Sequence, residues 1–348
     1  MTSLANASQA LPSRSGWWVL KGTSFVPALV LLACAGQVVP PPLLTGITEI
    51  EAGWHHTCAV TTAGDAKCWG NNHDGQLGDG TEVDRAIPVD VVGLLNKVQA
   101  ITAGERHTCA LTTAGGVKCW GNNHDDQLGD GTEIDRVTPV AVVGLTDGVK
   151  AISAGERHTC VLTTAGGVKC WGNNHDGQLG VGTEGDKKTP IDVAGLTSGV
   201  QAIAAGRRHT CALTTAGGVK CWGNNHDGQL GDGTKIDKKT PVDVMGLAGA
   251  VKAITAGWRH TCALTASGSV KCWGKNHDGQ LGDGTAINRS SPVDVVGLPS
   301  GVRAIAAGGQ HACALNPQFV SCWGDNEDGQ LGDGTTADTL AAREEVGL

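Results

Sequence analysis

The sequence predicts an all-β protein, a six-bladed β-propeller of 51-residue repeats closed by its C-terminal strand, and three observations carry that expectation. The first is a period: Gly53, Gly104, Gly155, Gly206, Gly257 and Gly308 stand 51 residues apart with near-identical text around each. A period near 50 residues marks a propeller, a solenoid or an array. The second is local. Each repeat holds four short β-branched runs between Gly-rich turns, the content of one blade, and no stretch sustains an apolar i, i+3, i+4 pattern. The third lies at the ends. The first repeat enters at Ile47–Ile50 as a second strand lacking a first, and Ala342–Leu348 stands in a first strand's place. The tail can therefore complete the opening blade and hide both sheet edges. Seven blades, the runner-up, would need about 50 more residues.

Composition agrees with a ring built from small residues. The 348 residues include 53 Gly, 10 Trp, 2 Phe and no Tyr, so the core must come from small and aliphatic side chains plus Trp. High Gly without a collagen period points to many turns and close backbone approaches. Lys and Arg number 26 against 34 Asp and Glu, a formal net of -8. That balance repels a phosphate backbone, so nucleic acid is not an expected partner.

Residues 1–35 read as an export signal, 36–46 as a Pro-rich spacer and 47–348 as the propeller. Arg14 and Lys21 precede an apolar run from Phe25 to Ala33, the layout of a secretory leader. The run is shorter than the roughly 20 residues that span a bilayer. Leu31-Leu32-Ala33-Cys34 resembles the lipobox of bacterial lipoproteins, in which Cys34 is lipidated and forms the only membrane attachment. Cleavage after Ala35 and an uncleaved anchor are the alternatives. The expected location is extracytoplasmic, either lipid-anchored or secreted.

Within the second repeat the expected strands are Thr108–Thr112 and Val117–Gly121, joined by Thr113-Ala114-Gly115. Thr138–Val143 follows as strand one, and Val149–Ala154 as strand two entering the next repeat. Twelve of the 13 Cys fall two per repeat: Cys58/Cys68, Cys109/Cys119, Cys160/Cys170, Cys211/Cys221, Cys262/Cys272 and Cys313/Cys322. Ten residues across a three-residue hairpin loop set two Cys opposite each other. The last pair is nine apart, but its loop at Asn316–Phe319 is one residue shorter, which keeps the partners opposed. Six intra-blade disulfides are expected in an oxidising compartment, with reduced Cys acting as small hydrophobes as the alternative. The spacing does not suit zinc.

Six equivalent His (His56, His107, His158, His209, His260, His311) suggest a repeated packing task rather than one asymmetric catalytic site. The Asn71–Thr81 segment is rich in oxygen ligands but lacks the alternate-position acids and terminal Glu of an EF-hand, so it reads as turn structure. Trp69, Trp120, Trp171, Trp222, Trp273 and Trp323 each follow the second Cys and read as inter-blade packing. No metal or cofactor is expected.

The text His-Thr-Cys-Ala-Leu-Thr through Cys-Trp-Gly-Asn-Asn-His-Asp-Gly-Gln-Leu-Gly-Asp-Gly-Thr resembles the regulator of chromosome condensation repeat family, as an exported member of bacterial type. The resemblance covers about residues 47–348. It implies loops on two faces, a narrow central channel and, in most members, seven blades. The founding member's nucleotide-exchange and chromatin roles conflict with an export signal, an acidic balance and paired Cys. Gly257-Trp258-Arg259-His260-Thr261 matches a motif of a light-sensing plant member, and Gly53-Trp54-His55-His56-Thr57 approaches it. Trp54 and Trp258 sit on non-adjacent blades and are not expected to pack together.

The positions that differ among the repeats carry the functional expectation. They are the pair after each Ala-Gly, from Trp54-His55 to Gly309-Gln310, and stretches such as Glu82–Arg85 and Lys235–Lys238. The first set falls on one face of the ring. Trp54, His55, Arg106, Arg157, Arg207, Arg208, Trp258 and Arg259 there have the Trp and Arg character of interface hot spots. The expected function is a scaffold binding a protein or glycan through this face. A purely structural module is the alternative, then a channel-site enzyme or exchange factor. No Ser-His-Asp order, acid pair or phosphate-binding loop stands out, so no catalysis is expected.

Overall fold

A computed structural model describes residues 44–247 and 250–347, and every regular element among them is a β-strand. The export signal, Cys34 and most of the spacer lie outside the described residues. Blade 1 comprises β1 (Ile47–Ala52), β2 (His56–Thr61), β3 (Ala66–Gly70) and β4 (Arg85–Asp90) in one antiparallel sheet of that order. Blades 2 to 6 repeat it over residues 98–141, 149–192, 200–243, 251–294 and 304–347. The six blades form the expected propeller.

The closing device differs from expectation. The last strand, β24 (Thr339–Gly347), pairs with its own neighbour β23 (Phe319–Gly324), through Cys322↔Arg343 and Gly324↔Thr339. Blade 1 is complete without it. The run expected at Thr138–Val143 is β8 (Arg136–Ala141), the fourth strand of blade 2 rather than the first of blade 3. The reason lies in the connections. The short link 91–97 crosses to the next blade, whereas the long loop 71–84 stays within its blade and covers the seam beside it.

All six Cys pairs are bonded: Cys58–Cys68, Cys109–Cys119, Cys160–Cys170, Cys211–Cys221, Cys262–Cys272 and Cys313–Cys322. Each joins residues directly opposed across a hairpin, as in Cys160↔Cys170. These bonds are internal staples of the hairpins. Cys119, Cys221 and Cys272 are sealed at 0% exposure, as are Cys68 and Cys170, because the second Cys of each of the first five hairpins lies within the packed layer between blades. In the first seam, Cys58, Cys68, Val60, Leu77 and Leu94 of blade 1 and its loops pack on Ala110 and Trp120 of blade 2. The core of the molecule is the set of such seams.

Polar groups complete each seam. His56 Nε2 lies 2.8 Å from Thr108 Oγ1 of the next blade. Thr108 donates its hydroxyl hydrogen to the Gln76 carbonyl at 2.8 Å, and Trp120 Nε1 donates to the same carbonyl at 2.9 Å. A hydroxyl that donates there must accept from His56, which assigns the Nε2–H tautomer and leaves Nδ1 bare. The His–Thr bond recurs at His107, His158 and His209. The Trp–Gln bond recurs at Trp171, Trp222, Trp273 and Trp323. The imidazole fits only against Gly: a Cβ on Gly104 would fall 2.2 Å from His107 Cε1 and 2.7 Å from the Gly155 carbonyl.

Blade 6 breaks the pattern once. Ala312 stands where the other blades have Thr, and both ring nitrogens of His260 are buried without a partner. Ala312→Thr restores the missing hydroxyl and is expected to stabilise the protein by about 1 kcal/mol in chemical denaturation; a neutral or destabilising result would contradict this reading of the seam.

The sixth seam lacks the network altogether. Among the described residues, no hydrogen bond or ion pair joins blade 6 to blade 1. Ile50 is 62% and Leu315 40% exposed, where their counterparts Ile101 and Leu111 are 2% and 0%. Trp69, unlike the other five seam Trp, is only partly buried.

Candidate binding face

The turns between the first and second strands of each blade gather around the channel on one face. The Ala-Gly pairs of all six blades line a cavity of about 440 Å³, with Trp54, Glu156, Arg207, Trp258 and Gln310 at its rim. Adjacent blades clasp here through main-chain bonds such as Glu105 N to Glu156 O and Trp258 N to Gly309 O, both 3.1 Å.

Trp54 and Trp258 pack together, contrary to the expectation from their repeat numbers. Their ring centroids are 4.6 Å apart at an interplanar angle of 36°. Blade 6 makes this possible by carrying no side chain at Gly309, where a Cβ would come within 2.8 Å of Trp258 Cε2. The Arg207 guanidinium carbon lies 5.0 Å from the Trp54 ring and 5.7 Å from that of Trp258. Counting repeats hides this contact, because it crosses the channel mouth instead of following the ring.

The arginines form a ladder across the seams. Arg157 Nε reaches Glu105 at 3.0 Å and its Nη1 reaches Asp125 at 3.3 Å. Arg207 and Arg208 both donate from Nε to Glu156 at 3.0 Å, and Arg208 also approaches Asp176 at 3.6 Å. Arg106 pairs with Asp74 at 3.5 Å and Arg259 with Asp227 at 3.3 Å. Four of them stay about half exposed, with side-chain exposures of 52%, 45%, 48% and 49% for Arg106, Arg157, Arg208 and Arg259. Their neutralised heads and open flanks suit a ligand of little net charge. His55 is exposed beside them, and its carbonyl accepts from Asn71 N at 2.8 Å. Sequence reasoning missed the buried acids Glu105 and Glu156; Glu in two repeats where two others carry Trp was the available signal.

The oxygen-rich loop is occupied by its own bonds. Asn72 Nδ2 donates to Asp79 at 3.1 Å and to the Thr81 and Val83 carbonyls, while its Oδ1 accepts from Leu77 N. Burial alone would raise the Asp79 carboxyl, but bonds from Thr81, Arg85 and Asn72 outweigh it and hold the group below the usual carboxylate range. Asp125, His175 and Asp186 are close enough to share a cation. The Asp125 oxygens, however, already accept from Asn173 at 2.8 Å and Arg157 at 3.3 Å.

A family model described as an RCC1-like domain matches residues 26–346. The chain is 35% identical over 270 residues to the Ultraviolet-B receptor UVR8 of Arabidopsis thaliana, covering 76% of this chain and 60% of the receptor. It is 32% identical over 313 residues to the human E3 ubiquitin-protein ligase HERC2, covering 88% of this chain and 6% of the ligase. The chain thus spans less than two thirds of either relative. Among solved structures, human WBSCR16 aligns with a TM-score of 0.79 at 24% identity, over 88% of this chain and 83% of that one. Yeast RCC1 (Prp20), crystallised with Kap60, aligns at 0.76 and 23%, over 86% and 74%. At these identities the structures speak for the fold alone.

Proposed function

The chain belongs to the RCC1-like domain family, and on that footing we propose that it is a non-catalytic, exported scaffold that binds a protein or glycan through the face carrying Trp54 and Trp258. The observation behind the proposal is the stacked Trp pair with Arg207 over both rings, set at the rim of the channel cavity and flanked by half-exposed arginines. Aromatic rings offer large apolar contact at little entropic cost, and arginine adds directed donors. Six disulfides fit an oxidising compartment, and the Phe25–Ala33 run with Cys34 supplies the export route and lipid anchor. Nucleic acid stays outside the proposal because of the acidic balance. Glu105, Glu156, Asp125 and Asp227 on this face are paired with arginines, and Asp325 accepts from Gln310.

The test is direct. The full chain, kept oxidised, is screened on a glycan array and a peptide library. Trp54→Ala, Trp258→Ala and Arg208→Ala are each expected to weaken any genuine hit by tenfold or more, about 1.4 kcal/mol or above. Hits that survive all three substitutions would remove this face from consideration.

A second reading draws on the same pair. Two indoles in contact beneath a guanidinium form a chromophore, and the plant relative is named an ultraviolet-B receptor. Ultraviolet illumination that changes the association state or near-ultraviolet dichroism, and does so less in Trp258→Phe, would favour it.

A further inference from the structure

Five seams are held by a repeated network and one is not, yet Trp54 of blade 1 reaches blades 4 and 5 across the channel mouth. We infer that the Trp54–Trp258 stack is a latch that tethers blade 1 to blades 4 and 5 across the channel mouth, in place of the bonded seam that blades 6 and 1 do not make.

Three observations support this. First, among the described residues no hydrogen bond crosses the sixth seam. Gln280 and the four Gln before it accept an indole bond from the next blade, whereas Trp69 of blade 1 donates no such bond to Gln330 among the described residues. Loop amides Gly80, Gly131, Gly182, Gly233 and Gly284 each donate to the outer strand of the next blade, and Gly334 of blade 6 does not. A Cβ on Gly334 would meet nothing within 4 Å. Second, the stack reaches where the backbone does not. Trp54 belongs to blade 1 and Trp258 to blade 5, while Arg207 of blade 4 lies over both rings. Third, blade 6 is shaped to let it pass, since Gly309 removes the side chain that would displace Trp258. A ring needs one closing contact where its repeated bonds stop, and these residues are the ones that differ from repeat to repeat.

The latch is read on the free protein, so its failure and that of the binding proposal are separable. Hydroxyl-radical footprinting of the oxidised full chain reports the access of individual side chains. In Trp54→Ala the oxidation rate of Trp69 is expected to rise severalfold as the aromatic pair and its cation are lost, and that of Leu315, already 40% exposed, by about twofold. Trp120, Trp171 and Trp222 should keep their wild-type rates. Gly309→Val, which leaves both indoles in the sequence but pushes Trp258 aside, should give the same pattern. The inference fails if Trp69 and Leu315 are unchanged in both variants, or if the increase is shared equally by the other seam Trp.

Discussion

Acidification is expected to unfold this protein cooperatively between about pH 5 and pH 4, at the upper end of the range in which carboxylate loss acts. The cause is the buried imidazole set. Burial, joined by the charge of neighbouring His, pushes His107, His209 and His260 down to about 3 and His56 down to about 4; burial alone takes His158 to about 3. In the unfolded chain each titrates near 6.5. A base with a depressed folded pKa stabilises the fold above the unfolded value and loses that contribution as pH falls toward the folded one. At pH 5 the unfolded state has gained a proton that the native state refuses, a cost of about 2 kcal/mol per His. Five such groups sum to on the order of 10 kcal/mol, comparable with the whole stability of an ordinary domain. Glu51 works the other way. Burial and the nearby Glu49 raise it to about 7, so its contribution is lost as pH rises from its unfolded value toward 7, and one such group cannot offset five. Far-ultraviolet dichroism against pH reads the transition. His158→Gln keeps a donor for Thr210 without titrating and should move the midpoint to lower pH; a midpoint below about pH 3 would refute the assignment.

Reduction is expected to be nearly as severe. Each disulfide closes a hairpin loop with a sequence separation of 9 or 10. In the chain-entropy picture a loop of that size contributes about 2–3 kcal/mol, so all six contribute roughly 15 kcal/mol. Because reduced thiols at the same positions remain small buried hydrophobes, the folded packing changes little and the loss acts through the unfolded state. A fall in Tm of roughly 20 °C or more is expected after complete reduction under a strong phosphine. The bonds should not yield together. Cys313 is partly buried, whereas both sulfur-bearing residues of Cys58–Cys68, Cys109–Cys119, Cys160–Cys170 and Cys211–Cys221 are at 0% exposure, and Cys272 equally so beside Cys262 at 1%. Mass spectrometry of trapped thiols should therefore find Cys313–Cys322 opened first. An unchanged Tm with all thiols titrating would refute the stabilising role.

Much of this molecule is legible in its amino acids. The period gives the blade, the Cys spacing gives the cross-strand pairs from Cys58–Cys68 to Cys313–Cys322, and the equivalence of six His gives a packing role. Phase is not legible. A strictly periodic text looks the same wherever it is cut, and the short link 91–97 imitates a hairpin while 71–84 imitates a crossing. The expected cut therefore falls one strand away from where the hydrogen bonds place it. The Trp54–Trp258 contact is hidden for a different reason: it depends on the diameter of the channel and on Gly309 making room, neither of which local spacing reports.

Each sheet is made from one uninterrupted stretch of chain. Tandem duplication or loss of a single genetic unit therefore changes the ring by an integer step and leaves every remaining sheet intact. Had a strand been lent from the tail to the front, such events would also have had to preserve both termini. With contiguous blades, such a step leaves the boundary between first and last units and the contacts across the channel mouth to be refitted.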